Sequence, residues 1–93
     1  MWVPWRVREG PHYAESLEEA REGVEDPERF AANLKALLWA LKRDPRTQSE
    51  PYPEADGYVM RTEDPYAGYA LAIFYAIVRE YDLEMKWVVR VPL

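Results

Sequence analysis

The chain has 93 residues, 48% hydrophobic and 31% charged, with no cysteine, one histidine and a net charge of −5. That length accommodates one domain around one core, and the composition is too apolar for a disordered chain and too charged for a membrane protein. Lacking cysteine, it has no disulfide framework, thiolate nucleophile or cysteine-ligated zinc; one histidine cannot build a multi-histidine metal centre, and an acidic field disfavours broad nucleic-acid binding.

The longest nearly uncharged run, Tyr66 to Val78, falls short of the roughly 20 residues that span a bilayer. The expectation is one soluble, cytoplasmic α+β domain over residues 1–93, with no membrane anchor and no cofactor.

In chain order, Met1 to Val7 places Val3, Trp5 and Val7 on one side and Arg6 and Arg8 off it, the two-residue period of a half-buried strand. Pro4 puts it at a sheet edge, and Gly10-Pro11 ends it. Ser16 and Glu19 have capping-box spacing ahead of a short helix carrying Leu17, Ala20 and Val24. Asp26-Pro27 starts a second helix, in which Phe30, Leu34, Leu37, Leu38 and Leu41 recur at three- and four-residue steps. Pro45 stops it, and the proline-rich stretch from Pro45 to Asp56 reads as a surface loop.

Three strands complete the expected order. Gly57 to Thr62 sets Tyr58, Met60 and Thr62 against Val59 and Arg61. Tyr69 to Val78 sets Ala70, Ala72 and Ala76 against Leu71, Ile73, Tyr75 and Ile77, which suits a central strand covered on both sides, although a buried helix competes for this segment. Leu83, Met85, Trp87, Val89 and Val91 alternate with Glu84, Lys86 and Arg90 in the last. The architecture is then β-α-α-β-β-β, a small antiparallel-rich sheet with two helices packed on one face.

This order, with Leu41-Lys42-Arg43-Asp44-Pro45 closing the long helix ahead of Gly57-Tyr58-Val59-Met60-Arg61 and two apolar strands, resembles the RelE/ParE family of bacterial toxins. The resemblance implies a toxin-type domain held by a cognate antitoxin, whose members either cut messenger RNA on the ribosome or poison DNA gyrase. It matches Arg61 and Arg90 to two basic family positions. The chain departs from the nucleolytic members where it ends in Val91-Pro92-Leu93, in place of their histidine or tyrosine, and in its acidic charge.

RNA cleavage through the 2′-hydroxyl needs a base, a cation and an acid. Arg61 and Arg90 are candidates for the cation and Tyr66 for a proton donor, while Tyr69, His12 and Trp2 are candidate binding residues. Each has a plainer reading: strand arginines in solvent, tyrosines on the sheet rim, a loop histidine, and tryptophans in a core that should hold at least Trp5 and Trp87. The acidic stretch Glu15 to Asp26 has helix-face spacing without a calcium-loop pattern, so no metal is expected. Three functions follow: a RelE/ParE-like domain binding a protein partner, a small homodimeric interaction protein, and a ribosome-dependent endoribonuclease.

Overall fold

The computed structural model describes residues 3–46, 49–52 and 57–93. Along the chain lie β1 (Arg6–Glu9), α1 (Tyr13–Arg21), α2 (Pro27–Arg43), β2 (Glu50–Tyr52), β3 (Gly57–Asp64), β4 (Tyr69–Arg79) and β5 (Asp82–Pro92). The strands form one five-stranded sheet in the order β1-β5-β4-β3-β2. β1 runs parallel to β5 and the other pairs are antiparallel. This is the expected α+β layout with both helices on one face, and residues 69–78 lie within a strand.

α2 forms for the reasons its sequence gives. The Asp26 carboxylate accepts the Arg29 N–H at 3.1 Å, Pro27 takes the first turn, and Phe30, Leu37 and Leu41 are buried. These three meet Met60, Leu71, Ile73, Tyr75, Leu83 and Val88 in the core between helices and sheet. The Tyr75 hydroxyl donates to the Pro45 carbonyl, so the residue that stops α2 is also anchored to β4; burial pushes this phenol up to about 12.

α1 starts earlier than the capping-box spacing implies. His12 is its N-cap and Ser16 lies inside the helix, where the hydroxyl donates to the Tyr13 carbonyl and accepts the Val88 N–H of β5. α1 thereby covers the edge of β5 beyond the reach of β1, which pairs only with Asp82–Met85. Two further boundaries move. β1 begins at Arg6 rather than Met1, with Trp5 buried just ahead of it, and the expected loop contains the short strand β2. Pro51 fits there because it opposes Tyr58 across the ladder while its neighbours pair with Gly57 and Val59.

The last strand departs most from simple alternation. Tyr75 opposes Met85 but Phe74 opposes Trp87, leaving Lys86 as the extra residue of a β-bulge. An inserted residue reverses the facing of everything after it. Val88 and Arg90 therefore turn to the helices, whereas Trp87, Val89 and Val91 turn to the helix-free face. Trp5 is in the core as expected; Trp87 is not, and it stacks on Phe74 outside with ring centres 5.2 Å apart. The expected cover on both sides of β4 is not found: among the described residues no helix lies on its alanine side, although Ala70 and Ala72 are buried. No helix among the described residues is long and apolar enough to cross a membrane.

Candidate functional site

Two surfaces concentrate side chains with chemical or binding capacity. The first is a polar cleft of about 420 Å³ between the α1–α2 connection and the β3–β4 turn, lined by Gly23, Val24, Glu25, Asp26, Arg29, Tyr66, Ala67, Tyr69 and Arg90. Its organising group is Asp64, at the end of β3 and only 6% exposed. The carboxylate accepts from Arg29 Nε at 2.5 Å and Nη2 at 2.9 Å, from Asn33 Nδ2 at 2.8 Å and from the Ala67 N–H at 3.2 Å. These donors, Arg29 first, hold its pKa far below the usual carboxylate range, and the same pairing raises that of Arg29.

Arg29 is thus fixed with its guanidinium 5.6 Å from the ring centre of Tyr66, which is 92% exposed. On the facing wall Arg90 lies 5.7 Å from the ring centre of Tyr69. Arg90 Nε donates to the Ala20 carbonyl at 2.8 Å and Nη2 to the Glu22 carbonyl at 2.6 Å. It closes the C-terminal end of α1, where cations are favoured. Both arginines are therefore already committed to protein acceptors. With Glu25 and Asp26 on the rim, the cleft suits a planar or hydrogen-bonding group better than a phosphate chain.

Of the residues singled out in the sequence, Arg90, Tyr66 and Tyr69 come together here. Arg61 does not join them. It opposes Ala72 on the helix-free face, whereas Arg90 has been turned to the helix side by the bulge at Lys86. The catalytic set of Arg61, Arg90 and Tyr66 is consequently not one site, since two cations on opposite faces of a sheet cannot share one phosphate. His12 is exposed at the N-terminal end of α1, about 13 Å along the nine-residue helix from the end that borders the cleft. Trp2 lies outside the described residues. Arg29, Asn33 and Asp64 were not singled out, and their only sequence signal is that Asp64-Pro65 follows an alternating strand.

The second surface is the helix-free face. Phe74 sits at its centre, stacked on Trp87 and edge-on to Tyr52 at 5.0 Å. Val59, Ala72 and Val89 surround the pair, and Arg61 and Glu63 carry charge along β3. No cluster of three or more histidine or acidic side chains suited to a metal occurs among the described residues.

No family model, curated protein or solved structure matches the chain. The functional reading rests on the two surfaces themselves.

The cleft has fixed donors and an exposed aromatic ring but no imidazole. The open face has apolar area and no fixed polar constellation. Arg61, Arg90 and Tyr66 do not converge on one point as general acid–base cleavage of RNA by that set would require. The arginines of the cleft are held by protein acceptors, and both surfaces offer features suited to binding.

Proposed function

We propose that this chain is a RelE/ParE-like domain that acts by binding a protein partner, without nuclease chemistry of its own. The observation that carries this reading is the helix-free face of the sheet, where the Phe74–Trp87 stack, Tyr52, Val59 and Val89 form an apolar centre beside the charges of β3. An aromatic centre with a polar rim is the anatomy of a protein interface. The family reading also requires residues 69–78 to be a strand after a pair of helices, which is the order found. An acidic chain whose two candidate arginines, Arg61 and Arg90, lie on opposite faces speaks against cleavage of RNA.

The test is induced expression in a bacterium, following growth and messenger-RNA integrity together, for the wild type and for Phe74→Lys. The expected result is growth arrest with intact transcripts, lost in a Phe74→Lys protein whose circular dichroism matches the wild type. Cleaved transcripts would overturn the non-nucleolytic reading, and unaffected growth in the presence of folded protein would overturn the toxin-type reading.

A further inference from the structure

The edges of the sheet are protected in different ways. β1 is four residues long and carries Arg6 and Arg8, β5 beyond Met85 is covered by α1 through Ser16, and β2 contains Pro51. These are the usual means of keeping strand edges from pairing. β3 is the exception. β2 covers only Gly57 to Val59, and among the described residues no strand lies on that side of Met60 to Asp64.

The hydrogen-bonding direction of that edge follows from the ladder. Opposed residues of an antiparallel pair alternate between hydrogen-bonded and non-bonded. Pro51, with no N–H, must be in a non-bonded pair with Tyr58, so Gly57 and Val59 direct their N–H and C=O groups toward β2. By the two-residue period Arg61 and Glu63 direct theirs the same way, past the end of β2. Both side chains are exposed on the helix-free face, and among the described residues neither has an ion-pair partner.

We propose that β3 pairs with β3 of a second copy, antiparallel and centred on Thr62, to join two sheets into one. A two-fold axis at Thr62 sets Arg61 opposite Glu63 of the second copy, and Glu63 opposite its Arg61. Both are hydrogen-bonded pairs, so four backbone bonds form, and each carries opposite charges on the same face. Shifting the axis to Arg61 or to Glu63 keeps the hydrogen-bonding phase but sets like charges against each other, which is destabilising. It also sets Glu63 against Val59, already bonded to β2, or Arg61 against Pro65, which has no N–H. Charge and backbone bonding thus select the same register of the three. One sign of charge would guard this edge, whereas opposite signs two residues apart make it self-complementary. Thr62 meets its own copy across the axis as a non-bonded pair, where side chains approach closest. This assembly does not depend on what the open face binds, and it makes the two open faces continuous.

The test is a charge swap, read by sedimentation equilibrium from about 10 μM to about 1 mM, the range in which a modest interface associates. The variants are Arg61→Glu, Glu63→Arg and the double variant Arg61→Glu/Glu63→Arg; both positions are exposed, so folding is retained and is checked by circular dichroism. The wild type is expected to dimerise, each single variant to dimerise about tenfold or more weakly, and the double variant to recover. Amide exchange at Arg61 and Glu63 should slow as concentration rises. A wild type that stays monomeric throughout overturns the proposal. So does a dimer indifferent to the single variants, and so does a double variant that fails to recover.

Discussion

The guanidinium of Arg90 donates from Nε to the carbonyl of Ala20 at 2.8 Å, so the last strand holds the end of the first helix. A second donation, from Nη2 to Glu22, doubles the tie. Removing it leaves two helix-terminal carbonyls to water and frees the α1–α2 connection. Arg90→Ala should therefore cost about 1–3 kcal/mol, measured by urea unfolding. Arg61→Ala, at an exposed site on the other face, should change stability by less than about 0.5 kcal/mol. Comparable losses in both variants would contradict the opposite placement of the two arginines.

The pairing of Arg29 with Asp64 makes a pH prediction. The folded-state pKa of Asp64 is depressed relative to the unfolded chain, so its ionised form favours folding. The contribution is complete above the ordinary carboxylate range. It declines as pH falls through that range and is gone once pH passes below the depressed folded-state value. Thermal unfolding followed from neutral pH down to about pH 2 should show this decline, and Asp64→Asn should lower stability at neutral pH while flattening the acid slope. An unchanged slope in Asp64→Asn would assign acid sensitivity to other carboxylates.

Much of this fold can be read from local pattern. Phe30 to Leu41 repeats with helical period, and Asp26-Pro27 and Pro45 bound it with side-chain chemistry that acts within a few residues. The alternation of Leu71, Ile73, Tyr75 and Ile77 with alanines likewise marked β4 as a central strand, but it implied cover on both sides, and the helices lie against the Leu71–Ile73–Tyr75 side. What escaped depends on long-range geometry. Lys86 looks like any outward strand residue, yet as the extra residue of a bulge it moves Trp87 out of the core and Arg90 toward the helices. Ser16 has the spacing of a cap, but its hydroxyl is taken by Val88 on a strand 72 positions away. The cleft escaped for the same reason: Arg29 lies on the polar side of its helix pattern, and its importance comes from Asp64, 35 positions along the chain.

Among the described residues the helices cover one face of the sheet and the core lies between them and it, which predicts an asymmetry along β4 and β5. Ile73 is fully buried against the helices, and Ile73→Ala should cost about 2–5 kcal/mol through lost contacts and the cavity left behind. Val91 is 47% exposed on the other face, and Val91→Ala should cost less than about 0.5 kcal/mol. Denaturant unfolding of the two variants checks this, and equal costs would mean that a second layer covers the alanine side.

Two glycines allow backbone strain and collision to be separated. Gly68 closes the β3–β4 turn with φ +80, donating to the Asp64 carbonyl at 2.9 Å, and a Cβ there would meet no atom within 4 Å. Gly68→Ala should therefore cost about 1–2 kcal/mol from left-handed backbone alone, with Gly68→Asn milder because asparagine tolerates that conformation. Gly10, by contrast, needs no left-handed geometry. It donates to the Met85 carbonyl at 2.8 Å, and an added Cβ would lie 2.8 Å from that same oxygen and 2.8 Å from Glu84 Oε1. The glutamate can swing away; the carbonyl belongs to the ladder and cannot. Gly10→Ala should cost about 1–3 kcal/mol by pushing the end of β1 off β5, and amide exchange at Gly10 should accelerate relative to amides in β4. If instead Gly10→Ala were neutral while Gly68→Ala remained costly, the contact between the end of β1 and Met85 would be looser than the structure places it.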